Sequence, residues 1–267
     1  MTSLKVKCPA KINLDLKVTG KRPDGFHNIE STMQTINLYD VLTISVIDSD
    51  INEIYLEGNS PAIPYDERNL AYKAAGLFLK TIKVSPKTVL IYIEKNIPVA
   101  AGLAGGSTDG AGTLYGLNRL MNNPLSEDEL HKLCAQLGSD LNVCLKGGCL
   151  QTSGRGEIIT PAEYKEYEIS LIKPINLGIS AKEAYTKFSE KLAKGIDIGS
   201  GGNYVNDLEW AVINDYPELQ YIKEKYPNAI MTGSGPTYYM INDDFDEEDG
   251  YWVKNSLKTI GSGVGLC

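Results

Sequence analysis

The segment between residues 88 and 120 constrains the fold more than any other part of the chain. Apolar residues first alternate with period two, as in a half-buried strand, at Val89, Ile91 and Ile93. After a stretch rich in glycine and alanine they recur at helical spacing, at Ala111, Leu114, Tyr115, Leu117 and Leu120. The pattern predicts a strand, a loop with few side chains, and a helix.

Such a loop is a candidate anion site, because the first amide groups of a helix lack internal partners and carry partial positive charge. The spacing Gly102-x-x-Gly105-Gly106 excludes the G-x-G-x-x-G loop of dinucleotide-binding proteins and protein kinases. Ser107 follows directly, so the lysine of a P-loop is missing. A phosphate-binding loop and a tight turn without a ligand are both open at this point.

Composition narrows the classes of function. The 267 residues suffice for one large domain or two of ordinary size. The net charge of −8 argues against a nucleic-acid partner, local basic patches apart. The five cysteines form no C-x-x-C pair and there are only two histidines, which argues against a zinc site or a histidine-based triad. We predict free thiols and no metal ligands among the side chains.

The sequence also predicts where the protein resides. No apolar signal core follows Met1, and no run of eighteen apolar residues occurs further along the chain. We therefore expect a soluble cytoplasmic protein without a membrane partner, as a monomer or a homodimer.

Residues 5–18 alternate between apolar and polar side chains, as in a strand. Lys11 and Asn13 fall on the polar face, and alternation alone favours a solvated surface for both. Pro9 within this run predicts an edge position or a bulge. Turn residues at 20–25 precede Phe26 and His27, at a loop end where binding residues often lie.

Asp140 has two interpretations. A capping box at Ser126 and Glu129 predicts a helix that ends at Gly138. Asp140 then enters an apolar run, where an aspartate is most often a helix N-cap. A desolvated functional carboxylate is the alternative.

Patterning predicts further elements and a domain boundary near residue 155. Strands are expected at 29–36, 41–47, 51–56, 168–172, 229–231 and 238–241, and helices at 69–82, 180–188, 204–214 and 218–226. Residues 146–156 are typical of a hairpin and residues 243–249 of a solvated acidic loop.

Three segments together resemble the motifs of the GHMP small-molecule kinases. They are Pro9–Leu14, Pro98–Ser107 and Thr232–Thr237, which occur in the same order as in that family. Three more segments resemble one subgroup, whose acceptor is a cytidine-diphosphate-linked methylerythritol of the non-mevalonate isoprenoid pathway. These are Lys21–His27, Leu137–Asp140 and Asn206–Glu209. The resemblance extends from about residue 5 to residue 240.

The resemblance implies an α+β fold of two domains with the active site between them. Residues 1–155 would form an ATP-binding domain of the ribosomal-protein type, and residues 156–267 a ferredoxin-like GHMP kinase domain. ATP would be the co-substrate, and phosphoryl-transfer chemistry implies Mg²⁺ without a recognisable ligand set. A kinase of a mevalonate phosphate, homoserine or a sugar is the alternative within the family. A nucleotide-binding sensor without catalysis is the alternative from another class.

The resemblance also implies roles for particular residues. Asp140 would be the catalytic base for the erythritol hydroxyl, and Lys11 its cationic partner, with Asn13 beside it. Phe26 and His27 would recognise cytosine, with Tyr185 as a stacking partner. The ATP phosphates would lie on Pro98, Val99, Ala100, Ala101, Gly102, Leu103, Ala104, Gly105, Gly106, Ser107 and Thr108.

The chain departs from the family pattern at several positions. Ala104 stands where a glycine is usual, and Asn142 belongs to a Leu-Asn pair that replaces Val-Pro. Ala181 replaces a substrate-contacting threonine, and Phe26 replaces a tyrosine but can still stack. Each departure could weaken affinity or shift specificity, and none removes a catalytic group.

Overall fold

A computed structural model describes residues 2–82, 85–202 and 204–267. Its strands are β1 Thr2–Asn13, β2 Lys17–Lys21, β3 His27–Asp48, β4 Glu53–Gly58, β5 Lys87–Glu94, β6 Cys149–Ser153, β7 Ile158–Pro161, β8 Glu168–Pro174, β9 Ile230–Met231, β10 Tyr238–Ile241, β11 Tyr251–Lys258 and β12 Gly265–Leu266. Its helices are α1 Leu70–Ile82, α2 Gly105–Leu120, α3 Glu127–Leu137, α4 Leu141–Lys146, α5 Ala181–Ala193, α6 Asp207–Val212 and α7 Pro217–Lys225, with a 3₁₀ turn at Ile213–Asp215.

The larger sheet is centred on the long strand β3. Its main path runs β12-β1-β3-β5-β4, and β2, β6 and β7 extend it. The register of β1 on β3 shifts between Pro9 and Ala10, so the predicted bulge is confirmed. The helices α1, α2 and α3 cover one face of this sheet in a shared apolar core. The loop at 98–104 therefore lies between β5 and α2, as the pattern predicted.

The smaller sheet has the strand order β11-β8-β10-β9, with every neighbouring pair antiparallel. In chain order this is 4-1-3-2, the order of a ferredoxin-like sheet. The second crossover, at residues 242–250, forms no helix. Phe245 fills that place: it is 2% exposed and packs edge-on against Tyr226. The acidic run at 243–249 is thus a loop with one apolar anchor.

The two sheets meet in an apolar cluster. Residues of β1 and β3 and of the glycine-rich loop pack there against β8, β10 and β11: Ala10, Ile12, Ile36, Leu38, Ile97, Ala101, Leu103, Ile169, Leu171, Tyr239 and Leu257. Ala10 and Ile12 of β1 lie in this cluster, while Lys11 and Asn13 contact Gly102, Asp140 and Thr232. Every residue from Cys8 to Asn13 is therefore buried. The solvated face that alternation favoured for Lys11 and Asn13 is therefore wrong.

Several element boundaries differ from the prediction. Residues 5–18 do not form one strand, since β1 ends at Asn13 and the chain turns before β2. The strands predicted at 29–36 and 41–47 are one strand, β3. The β6–β7 hairpin lies in the larger sheet and spans the division proposed at 155/156, and β12 returns to that sheet. The two-domain division at that residue stays a proposal.

Candidate active site

A cleft of about 1370 Å³ runs between the two sheets. It is lined by the glycine-rich loop and the start of α2, by the end of β1, by the loop before α4 and by one face of α5. Among the described residues that line it, six are basic and four acidic, although the whole chain carries a net charge of −8. The cleft is therefore a local basic region suited to phosphate groups.

The glycine-rich loop opens α2 with left-handed backbone. Ala100, Gly102 and Ala104 have φ of 51°, 73° and 60°. Ala104 occupies the N-cap position of α2 and forms no side-chain cap, so the first amide groups of this long helix are available to bind an anion. Glycine adopts such a φ without the steric cost that an alanine bears. The departure at Ala104 is therefore a backbone strain at the entrance of the helix.

Gly102 is the contact point between this loop and the segment 232–235. A methyl group added at Gly102 would lie 2.2 Å from Thr232 O, a distance that no carbon atom tolerates. Together with its φ of +73°, this contact explains why glycine is required here.

We expect Gly102→Ala to lower the free energy of unfolding by about 1–3 kcal/mol more than Gly195→Ala, because only Gly102 meets backbone. Gly195 has the same φ of +73° with no atom within 4 Å of an added methyl group. Urea denaturation of both variants measures the difference. Equal losses would contradict a close approach at Gly102.

Lys11 is buried where the loop meets β1. Its side chain is 3% exposed, and Nζ donates to Asn13 Oδ1 at 2.6 Å and to Gly102 O at 3.1 Å. Nζ also lies 3.6 Å from Asp140 Oδ2, an ion pair with a side chain that is 30% exposed. Burying a lysine costs free energy unless polar partners surround it, so this arrangement points to function rather than packing.

Asp140 occupies the N-cap position of α4, but its side chain makes no capping hydrogen bond. The carboxylate instead faces Lys11 and the cleft. The N-cap interpretation therefore holds for the backbone position alone, and the functional carboxylate stays a prediction. Gly138 ends α3 with an extended φ of 171°, not with the left-handed conformation of the usual glycine cap.

The other end of the cleft is aromatic. The rings of His27 and Tyr185 stack with centroids 5.1 Å apart and an interplanar angle of 14°. His27 Nε2 is 2.9 Å from Ser189 Oγ of α5, and burial, then the charge of Lys21, lower the His27 pKa. A neutral imidazole in this setting can both donate and accept hydrogen bonds.

Phe26 and Tyr185 extend this aromatic end in two directions. The Phe26 ring is 52% exposed and lies 5.1 Å from the Arg155 guanidinium. Burial, then the negative charge of Asp140, raise the Tyr185 pKa. Tyr185 is therefore within electrostatic reach of the carboxylate while its ring lies on His27.

Most predicted site residues line the cleft together. Lys11, Asn13, Phe26, His27, Asp140 and Tyr185 do so, as do Pro98, Val99, Ala100, Ala101, Gly102, Ala104, Gly105, Gly106 and Ser107. Leu103 and Thr108 do not line it. The Leu103 side chain lies in the cluster between the sheets, and Thr108 is fully buried in the first turn of α2.

Sequence reasoning missed a buried charge cluster beneath the loop. The Lys95 ammonium pairs with Asp40 and, at 3.0 Å, with Asp109 Oδ2, and all three side chains are at most 5% exposed. Asp109 Oδ1 has no hydrogen-bond partner, and Lys95 and Asp109 both line the cleft. Burial raises the Asp109 pKa to about 7; the negative charge of Asp40 adds to this shift and the positive charge of Lys95 opposes it.

The raised pKa of Asp109 predicts a pH dependence of stability. The folded state binds the Asp109 proton more tightly than the unfolded state does. The protonated Asp109 carboxyl group therefore adds its full contribution to the free energy of unfolding below about pH 4, and this contribution is lost as the pH rises through about 7. Asp109→Asn, which cannot ionise, should flatten the decline in unfolding free energy over this range. The exposed Asp50→Asn should leave the wild-type slope in place. Parallel wild-type and Asp109→Asn profiles would contradict the assignment.

The thiols agree with the prediction of free cysteines. In the described part of the chain all cysteines are free, with Cys267 exposed and the others buried. No helix within those residues is long and apolar enough to cross a membrane. The same residues contain no cluster of three His, Cys, Asp or Glu side chains that could hold a metal ion.

The fold and cleft define a small-molecule kinase of the GHMP type, and comparisons with known proteins agree. The family profile "GHMP kinases N terminal domain" matches residues 69–148. A 4-diphosphocytidyl-2-C-methyl-D-erythritol kinase of Clostridium acetobutylicum is 38% identical over 94% of this chain and 95% of its own. A crystal structure of a 4-(cytidine 5′-diphospho)-2C-methyl-D-erythritol kinase superposes with a TM-score of 0.73 at 26% identity, covering 97% of this chain and 100% of the other.

A homoserine kinase from Cytophaga hutchinsonii superposes with a TM-score of 0.71 at 16% identity, covering 100% of this chain and 98% of the other, which shows the shared fold alone. The methylerythritol kinase of Clostridium acetobutylicum, at 38% identity, is more than twice as similar in sequence, and the similarity extends along nearly the whole chain. The chain belongs to the family of 4-diphosphocytidyl-2-C-methyl-D-erythritol kinases within the GHMP kinases.

Proposed function

We propose that the protein transfers the γ-phosphoryl group of ATP to the erythritol hydroxyl of 4-diphosphocytidyl-2-C-methyl-D-erythritol, a step of isoprenoid synthesis. One observation supports this above the others. A single cleft joins a phosphate-binding helix N-terminus, an adjacent Lys11–Asp140 pair and an aromatic end at His27 and Tyr185. These match the triphosphate, the reacting hydroxyl and the cytosine of the two substrates.

The chemistry at the acceptor end follows from the ion pair. The Asp140 carboxylate takes the proton of the acceptor hydroxyl as the new O–P bond forms and the bond to the leaving ADP oxygen breaks. Lys11 stabilises the negative charge that spreads over the phosphoryl oxygens in the transition state. Its hydrogen bonds to Asn13 and Gly102 hold the ammonium in place before the substrates bind, so no reorganisation is needed.

Mg²⁺ fits this site as a companion of ATP. Magnesium is usually held by one or two carboxylates together with substrate phosphates and waters, and not by a dedicated protein cage. The Ser107 hydroxyl lines the same cleft and would hold the ion together with the phosphates and waters. The ion would neutralise charge on the phosphate oxygens.

Acceptor recognition separates this function from its alternatives. A pyrimidine can stack on the aromatic end and hydrogen-bond to a neutral His27, whereas homoserine, a mevalonate phosphate or a simple sugar has no aromatic ring to place there. A sensor without catalysis would not need the buried ammonium and carboxylate pair. We infer that the protein acts in the cytoplasm, as a monomer or a homodimer, on small molecules.

The test is turnover with Mg·ATP on a panel of acceptors. We expect phosphorylation of diphosphocytidyl-methylerythritol and little of homoserine, mevalonate phosphate or galactose. Turnover on another acceptor alone would favour a different kinase of the family. ATP binding without turnover on any acceptor would favour the sensor.

A further inference from the structure

Asn206 is a buried residue to which the proposed reaction assigns no role. It precedes α6 and is fully buried. Its amide nitrogen donates to Met231 O and to Gly233 O, each at 2.8 Å, and its Oδ1 accepts from Leu208 N–H at 2.9 Å. The carboxamide therefore caps α6 and also holds the two carbonyl groups on either side of Thr232.

Thr232 connects these two hydrogen bonds of Asn206 to the part of the cleft that contains Lys11. Asn13 N–H donates to Thr232 Oγ1 at 2.9 Å, and the same hydroxyl lies 3.4 Å from Asn13 Oδ1. Asn13 Oδ1 in turn accepts from Lys11 Nζ at 2.6 Å. A methyl group added at Gly233 would lie 3.2 Å from Lys11 Nζ, so the segment held by Asn206 packs directly on the ammonium.

The start of α6 is itself fixed to the chain that follows β1. Leu16 N–H donates to Val205 O at 3.1 Å, and Asp207 N–H donates to Leu16 O at 2.9 Å. Asp207 Oδ2 also accepts from Val18 N–H at 2.8 Å and pairs with Lys17. Asn206 is thus anchored to the segment that directly follows the strand of Lys11 and Asn13.

We propose that Asn206 is a positioning residue for phosphoryl transfer, which sets Lys11 against Asp140 through Thr232 and Asn13. This rests on the proposed function and deepens it by assigning a role to the Asn206–Glu209 segment. Every link in the series is buried, so a displaced Thr232 hydroxyl has no water to replace it. A misplacement of about 1 Å at the reacting group can lower turnover roughly a hundredfold.

Kinetics of Asn206→Ala and Asn206→Asp test the proposal. Both variants lose the two donors to Met231 O and Gly233 O, while the aspartate keeps an acceptor for Leu208 N–H and so preserves the cap. We expect kcat to fall roughly tenfold to a hundredfold in both, with KM for ATP and acceptor within about threefold of wild type. If the alanine variant fails to fold, the capped aspartate variant carries the test.

Asn118→Ala is the matched control. Asn118 is 5% exposed, donates to Leu125 O and accepts from Leu125 N–H, each at 3.0 Å, and does not line the cleft. Its replacement should lower the thermal midpoint and leave kcat unchanged. An Asn206→Ala enzyme with the same thermal loss and wild-type kcat would overturn the positioning role.

A double-mutant cycle with Thr232→Val shows whether Asn206 acts through Thr232. We expect the kcat of the double variant to equal that of the poorer single variant, and Thr232→Ser, which keeps the hydroxyl, to retain most of kcat. Additive losses would overturn the proposed connection. A wild-type protein without turnover on the cytidine-linked acceptor would instead overturn the proposed function, since the cycle is interpreted only on an active wild type.

Discussion

Replacing Asp140 with asparagine should lower kcat by about 10²- to 10⁴-fold and leave KM for both substrates nearly unchanged. The amide has the shape of the carboxylate but cannot accept the hydroxyl proton. Because Lys11 keeps its bonds to Asn13 and Gly102, the ammonium should stay in place and continue to meet the phosphate. Steady-state kinetics with saturating Mg·ATP measure the effect, and the thermal midpoint reports the fold.

The control is the exposed Asp128→Asn on the neighbouring helix α3, which should retain wild-type kcat. A kcat for Asp140→Asn within about tenfold of wild type would contradict a role as general base. An increase in acceptor KM at constant kcat would assign Asp140 to substrate binding alone.

The sequence predicted the local elements better than their partners. The capping box at Ser126, the strand–loop–helix around Gly102 and the strands at 229–231 and 238–241 depend on neighbouring residues, so local patterns suffice. Strand β11 was missed because most of its side chains are at least partly exposed and give little apolar alternation.

The environment of the charged residues could not be obtained from local patterns. Lys11 and Asn13 have the spacing of a solvated face, but they are buried by contacts with Gly102 and Thr232, which lie 91 and 219 residues further along the chain. Lys95 lies 55 residues from Asp40 and 14 residues from Asp109 along the chain, and this spacing does not predict that the three side chains form an ion cluster. Family resemblance predicted that Lys11 and Asp140 act together, whereas this cluster could be found only from the fold.

Stability and activity should diverge when Lys11 is replaced by methionine. The variant keeps the unbranched apolar chain and removes the ammonium, so kcat should fall by about 10²- to 10³-fold, the range seen when one donor to a developing charge is removed. The free energy of unfolding should change by less than about 2 kcal/mol, because a buried charge and its desolvation cost disappear together with its hydrogen bonds. Asp140, which is 30% exposed, can be solvated without its partner.

Lys7→Met is the matched control, since Lys7 lies on the same strand but is exposed. It should keep both kcat and stability. Lys11→Arg should restore little activity, because Gly102 and Gly233 pack closely around Nζ and leave no room for a guanidinium group. Chemical denaturation and steady-state kinetics on the three variants decide the matter. A Lys11→Met protein that loses activity only in proportion to its loss of folded protein would assign the lysine to the core rather than to the transition state.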